Sequence, residues 1–415
     1  MIRALYSVAV VLLLPWALAR LWWRGRREPG YREAIGERFG LHGDFRPGTS
    51  PVAWVHAVSV GEARASAGFV QALLDRGLVV VATCTTAAGR ATLRELHGER
   101  VRIAWLPYDT PGAVRRFLAA VSPSVGVLVE TEVWPNLLAG CRARGIPVML
   151  ANARLSGRSA EGYRRWSALL GPAFRSLALV CAQTKADADR LASLGAPRVE
   201  VTGNLKFDIA PDEARRAQGR LWRQRIGRPV LLLASTRDGE EASLLEALPA
   251  WDGRLLVVVV PRHARRFEAL AALAQSRRSS GGDPAPADRV HLGDTMGEMD
   301  FYYAAADVAI IGGSFAPLGG QNLIEACAAG APAIFGPSMF NFSEPARLAV
   351  EAGAALQVAD PRAAIEAALR LLGDAPALER MRAAGPAMAA AHRGATGRQL
   401  RCFDDLRALS VPAPD

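Results

Sequence analysis

Short unbroken apolar runs, each closed by a polar or glycine-containing turn and followed by helical composition, recur along this 415-residue chain. A first set lies at 52–58, 78–83, 101–106, 125–129, 147–151, 177–181 and 198–202, and a second at 229–234, 255–260 and 308–311. A strand that is apolar on both faces must be covered on both faces, and parallel strands joined by helices achieve that cover. The pattern predicts an α/β protein of two doubly wound, Rossmann-like domains facing across a cleft. The expected divisions are an apolar anchor at 1–24, a first domain at 25–208, a second at 209–395, and a helix at 396–415 that packs back on the first.

Ligands of open α/β sheets bind beyond the carboxyl ends of the strands, so the turns after the apolar runs are where chemistry is sought. The first run ends in Ser59-Val60-Gly61-Glu62, and helical composition begins at Ala63. A helix start lowers a carboxylate's pKa, so an ionised Glu62 there suits a general base; simple helix stabilisation is the alternative. The run at 125–129 passes into Glu130-Thr131-Glu132-Val133-Trp134-Pro135-Asn136, with Glu130 continuing the strand. Lys206 stands where the two domains should meet. Lys185 and Lys206 are the only lysines, which gives Lys206 weight as a compact charge able to follow an anion; a solvated linker residue is the alternative.

In the second half, the run at 255–260 ends in Pro261-Arg262-His263, placing a guanidinium at a strand mouth where it can grip a phosphate or a base carbonyl. Residues 279–288 read as an exposed loop, and 291–299 as a turn plus helix able to lie beside a base or ribose. At 304–337 a buried strand ends in Gly312-Gly313-Ser314. Gly319-Gly320 then allows close approach to a ligand, and Asn322 caps a helix at 323–329 that Gly330 stops. The amides at that helix start predict an anion site, and Glu325 can accept hydrogen bonds from a ribose. The alternative is a buried crossover whose glycines serve packing alone.

The formal charge of +10 is carried almost wholly by arginine. No RNA-binding or helix-turn-helix pattern accompanies it, so phosphorylated substrates or an anionic membrane are favoured over nucleic acid. Five scattered cysteines lack metal-ligand spacing, which predicts a reducing compartment and no metal site. The apolar stretch 4–19 is extended by Leu21-Trp22-Trp23 and flanked on its C-terminal side by Arg20, Arg24, Arg26 and Arg27, which predicts a cytoplasmic location for the rest of the chain. It reads as an uncleaved anchor or as an interfacial helix kinked at Pro15, with a signal peptide ending near Ala19 as the alternative.

Taken as an ordered set, these motifs together with Leu106-Pro107-Tyr108-Asp109, Asn152 to Ser156, Thr202 to Asp208, Gly336-Pro337 and Asn341-Phe342 resemble the 3-deoxy-D-manno-octulosonic acid (Kdo) transferases of lipopolysaccharide synthesis. The resemblance implies a GT-B fold and an inverting, metal-independent transfer of Kdo from CMP-Kdo to the lipid A precursor, lipid IVA, at the cytoplasmic side of the inner membrane. It implies no cofactor beyond the donor substrate, contact with membrane lipids and no nucleic-acid partner, and it leaves the oligomeric state open. By position, Glu62 matches the proton acceptor, and Glu130 and Lys206 match residues that stabilise the transition state. Pro261, Arg262, Met296, Gly297, Glu298, Asn322, Leu323, Ile324 and Glu325 match CMP contacts. Gln321 and Leu323 depart from the histidine and proline usual in the family; Gln321 cannot protonate, and the expected cost is in donor affinity. Rival readings are a sugar-nucleotide 2-epimerase on the same fold and a membrane-tethered nucleotide-binding protein without catalysis.

Overall fold

The structure, a computed structural model, describes residues 1–43, 45, 50–237, 239–250 and 252–408. Parts of the expected connector at 25–51, residue 238 of the turn after the run at 229–234, and the expected helix beyond 408 lie outside the described residues. The chain forms two compact units, one comprising 1–209 together with the chain from Arg393 and the other comprising Ala210–His392.

The first unit is built on β1 (Val52–His56), β2 (Val79–Cys84), β3 (Arg102–Trp105), β4 (Val125–Val129), β5 (Val148–Ala153), β6 (Leu179–Ala182) and β7 (Val199–Val201). These strands form one sheet in the order β3-β2-β1-β4-β5-β6-β7, and every pairing is parallel. Alternate residues feed two separate cores. Trp54 and Leu128 enter one with Phe117 and Phe174, while Ala53, Val55 and Val127 enter the other with Phe69 and Phe403. This double cover is why the sequence shows continuous apolar runs instead of alternation. Gly126 makes room for Trp54, since a Cβ there would lie 3.0 Å from the indole ring. Phe403 belongs to the helix Ala395–Ala408, which packs on this unit through an edge-on contact with Phe69 at 5.8 Å and an Arg76–Asp404 ion pair at 2.9 Å.

The second unit repeats the plan with β8 (Val230–Thr236), β9 (Leu256–Pro261), β10 (Ser276–Arg277), β11 (Val290–Leu292), β12 (Val308–Ile311), β13 (Ala333–Phe335) and β14 (Ala355–Gln357). Its order is β10-β11-β9-β8-β12-β13-β14, again parallel throughout. The expected turn plus helix at 291–299 is corrected here: Val290–Leu292 is a buried strand beside β9, and the helix begins only at Met299. Three residues are too few to show a period, so the strand is visible only through its pairing.

In each sheet the strand order reverses beside the first strand of the unit, at β1/β4 and at β8/β12. Such reversals open a crevice at the carboxyl ends of the two strands. The N-terminal helix α1 (Ile2–Arg24) belongs to the first unit and, by length and composition, is apolar enough to cross a membrane.

Candidate active site

At the β1/β4 crevice, helix α2 (Val60–Ala65) starts immediately after β1 with Ser59 as its cap. The Ser59 hydroxyl accepts from the Glu62 amide at 3.4 Å, and the Glu62 carboxylate reaches back to accept from the Val58 amide at 2.6 Å and the Ser59 hydroxyl at 3.0 Å. This reciprocal cap fixes the carboxylate at the crevice mouth. Burial pushes the Glu62 carboxyl up to about 7; the neighbouring Glu130 adds to the rise, and the bonds from Val58 and Ser59 oppose it. The expectation of a lowered pKa is therefore overturned, because desolvation and a second carboxylate outweigh the partial charge of a six-residue helix. A carboxyl that titrates near neutrality is matched to taking a proton from a hydroxyl.

Glu130 does not continue the strand as expected. β4 ends at Val129, and Glu130 adopts the left-handed φ of 65°, which turns its side chain out of the pleat. There it accepts from the Lys206 ammonium at 2.9 Å, with the two side chains only 15% and 12% exposed. The solvated-linker alternative for Lys206 is thereby excluded. Lys206 sits on the short turn Leu205–Asp208, which is held on several sides. Asn204 caps it at 2.9 Å, and Asn152 accepts from the Leu205 amide at 3.0 Å. Asp208 accepts from the Gly394 and Thr396 amides at 2.6 and 2.5 Å, and Arg398 donates to the Thr202 carbonyl at 2.8 Å. Asn152 is itself left-handed, with a φ of 51°, and its amide donates to the buried Gln399 at 3.1 Å. Left-handed non-glycine residues cost about 1–3 kcal/mol each and gather at functional sites.

Glu132 is a third carboxyl in this cluster, seen in the sequence but given no role there. It accepts from the Trp134 indole at 2.8 Å, and burial, with Glu130 adding, pushes it up to about 7. His56 lies 3.9 Å away, but burial lowers its pKa to about 4, so it is neutral at pH 7 and the contact is not an ion pair. Asn152 had a readable signal, an asparagine at the end of an apolar run, where its side chain tolerates the left-handed conformation. Gln399 had none.

In the second unit, Arg262 follows the end of β9 as expected, its amide donating to the Thr236 carbonyl at 3.0 Å. The glycine-rich stretch differs from expectation. The Gly313 and Phe315 amides donate to the buried Glu240 carboxylate at 2.7 and 3.2 Å. Gly319 and Gly320 approach the protein itself, since a Cβ on them would collide with Asn341 and Met339 respectively. The helix spans Ile324–Ala328 and not 323–329, with Leu323 in the cap position and the Ile324 amide donating to the Asn322 side chain at 3.0 Å. The loop also satisfies its own amides, Gly319 donating to the Ser338 hydroxyl at 3.1 Å and Gly320 to the Gly313 carbonyl at 2.8 Å.

The groups around Glu325 do converge. Asn322 donates to the Glu325 carboxylate at 2.9 Å and accepts, through its carbonyl, from the Tyr303 hydroxyl at 3.2 Å. Tyr303, missed in the sequence, is raised well above its ordinary pKa by burial and then by the charge of Glu325, with Arg262 acting the other way. The Leu323 and Ile324 side chains are buried, leaving their backbone as the part able to meet a ligand. Met296 is exposed, and the Gly297 carbonyl accepts from Arg215. Glu298 binds Arg278 at 3.2 and 3.3 Å and accepts from Thr295; burial works against its ionisation, but these bonds hold its carboxyl below the ordinary range.

Comparison with known proteins agrees with this architecture. Residues 33–209 match the family described as 3-deoxy-D-manno-octulosonic-acid transferase. The chain is 49% identical to the 3-deoxy-D-manno-octulosonic acid transferase of Bordetella pertussis, covering 97% of this chain and 99% of that one. It is 35% identical to the transferase of the same name from Haemophilus influenzae, covering 96% and 97%. Among solved structures, a putative UDP-N-acetylglucosamine 2-epimerase of Listeria monocytogenes matches with a TM-score of 0.58 over 89% of this chain and 99% of that one, at 16% identity, a likeness of fold alone. Two doubly wound α/β domains of GT-B type and relatives this similar along nearly the whole chain lead to one conclusion: the chain belongs to the Kdo transferase family and is a glycosyltransferase of lipopolysaccharide synthesis.

Proposed function

We propose that the enzyme moves Kdo from CMP-Kdo to the lipid A precursor, lipid IVA, with inversion at the anomeric carbon and without a metal ion. The observation that carries this reading is the Glu62 carboxyl, poised at about 7 at a crevice mouth that also holds the Glu130–Lys206 pair. Glu62 takes the proton of the acceptor hydroxyl as its oxygen bonds to the anomeric carbon. The bond from that carbon to the phosphate oxygen breaks on the opposite face, and CMP leaves with the electron pair. Lys206, oriented by Glu130, stabilises the negative charge of the transition state. Arg262 and Glu325 supply the phosphate and ribose contacts. Pro261, Met296, Gly297, Glu298, Asn322 and the backbone of Leu323 and Ile324 complete the donor site. Gln321 offers an amide where the family has a histidine, so no proton transfer is assigned to it. No cofactor is required beyond the donor, and the enzyme works at the cytoplasmic side of the inner membrane.

The test is CMP release from purified enzyme given CMP-Kdo, generated in place, with or without tetraacylated lipid A precursor. Release that requires both substrates, with Kdo appearing on the lipid and rates unchanged by EDTA, is expected. Turnover of the nucleotide sugar without the lipid would instead support the epimerase-like rival, and loss of activity with chelator would overturn the metal-independent step.

A further inference from the structure

We propose that α1 lies in the plane of a bilayer surface instead of crossing it, docked lengthwise on the first unit with its outer face sunk into a leaflet of anionic lipid. The proposal rests on the membrane-bound reading of this chain but not on its reaction. At 100° per residue, the partly covered positions Tyr6, Ser7, Val10, Leu14, Leu18 and Leu21 fall within one third of the helix circumference. Leu5, Val8, Leu12, Trp16 and Trp23 occupy the opposite side, each more than half exposed.

The covered face is pinned at both ends. Tyr6 donates to the buried Asp109 at 3.0 Å and Ser7 donates to the buried Asn136 at 3.1 Å. At the far end, Leu21 packs against the second core of the unit and Arg24 donates to the Tyr31 hydroxyl at 2.6 Å. These pins are about 20 Å apart along a rigid helix, so α1 runs beside the unit and does not project from it. Crossing roughly 30 Å of hydrocarbon would break all of them or drag Asp109 and Asn136 into lipid.

The surroundings of the outer face name its partner. Arg20 stacks on Trp16 at 5.6 Å, Arg27 on Trp23 at 5.2 Å and Arg32 on Trp22 at 4.1 Å, an arrangement suited to the headgroup level, where indoles and cations both gather. At the N-terminal end a cavity of about 500 Å³ opens between α1 and the helices Pro111–Val121 and Pro135–Ala143, lined by Met1, Arg3, Arg115 and Arg144. The lining holds three arginines and no acidic residue, and the single carboxyl of Asp109 near Arg3, bonded to Tyr6 and to the Asn136 and Leu137 amides, is outnumbered by them, so the cavity presents net positive charge to a lipid phosphate.

The test uses the full chain in sealed membrane vesicles. Ile2→Cys and, as a marker of the first unit, Glu99→Cys are labelled from one side with a membrane-impermeant maleimide, with the parent chain as background. In-plane docking predicts that both label from the same side, in inside-out and right-side-out vesicles alike. Labelling of the two from opposite sides overturns it while leaving membrane attachment intact. In parallel, the purified protein is sedimented with phosphatidylcholine vesicles with or without 30% phosphatidylglycerol. Preference for the anionic vesicles, reduced about tenfold or more by Arg115→Ser with Arg144→Ser, is expected from roughly 1 kcal/mol per arginine. Equal binding to both vesicle types refutes the anionic-leaflet assignment, and binding to neither refutes the membrane-bound reading itself.

Discussion

Replacing Glu62 by glutamine should raise stability and abolish transfer at the same time. The carboxyl titrates at about 7 in the folded protein against an ordinary value near 4.5, and each pH unit of difference corresponds to about 1.4 kcal/mol. The folded pKa is raised, so the folded state holds the proton more tightly than the unfolded chain does. Stability from this group is complete below the unfolded pKa and is lost as pH rises through about 7. The full difference corresponds to roughly 3 kcal/mol, and because Glu62 is partly exposed, solvent screening brings the expected effect to about 1–2 kcal/mol. Glutamine imitates the protonated form at every pH. Urea unfolding in detergent should therefore show Glu62→Gln more stable than the parent at pH 8 and equal to it at about pH 3.5, below the value at which the unfolded carboxyl titrates. Single-turnover Kdo transfer should fall by about 10²–10⁴, the usual worth of a general base, while CMP binding stays unchanged. A stability difference that is the same at both pH values would refute the burial argument, and near-normal transfer would remove Glu62 as the base.

Other substitutions separate the remaining parts. Glu130→Gln removes a negative neighbour of Glu62 and leaves the Lys206 charge uncompensated, and both effects favour the ionised form of Glu62. The acid limb of the pH–rate profile should therefore move down by about one unit; an unmoved limb would show that the two carboxylates do not interact, and an upward move would refute the sign of the argument. Glu325→Ala should weaken CMP binding about tenfold by titration calorimetry with little change in the stability of the second unit, and normal CMP affinity would deny it the ribose contact. Phe403→Ala should cost about 3–5 kcal/mol of first-unit stability in urea and lower transfer through the same helix that holds the Lys206 turn; a loss under 1 kcal/mol would mean that the helix is not integral to this core.

The central strands were legible because both sheet faces are covered, which writes continuous apolar runs into the chain, as at Val125–Val129 and Val308–Ile311. Strands of two or three residues such as β10 and β14 carry no such run and exist only through their neighbours. The approximate places of Glu62 and Glu130 were legible as strand-end positions, and that of Lys206 as the stretch leaving the first sheet. Their electrostatics were not, since the pKa of Glu62 depends on Glu130 and on burial, neither of which has a local pattern. The internal contacts of the glycine-rich loop were not legible for a related reason: Glu240 takes the Gly313 amide from seventy-three residues away, and glycines that make room for Met339 look in sequence like glycines that make room for a ligand.

The turn that carries Lys206 is held by Gln399, Arg398 and the amides of Gly394 and Thr396, so its anchoring comes from chain that follows the whole second unit in sequence. The perch of Lys206 stays unfinished until the entire second unit has been made. A fragment that stops short of residue 393 therefore lacks the contacts that set this ammonium beside Glu130.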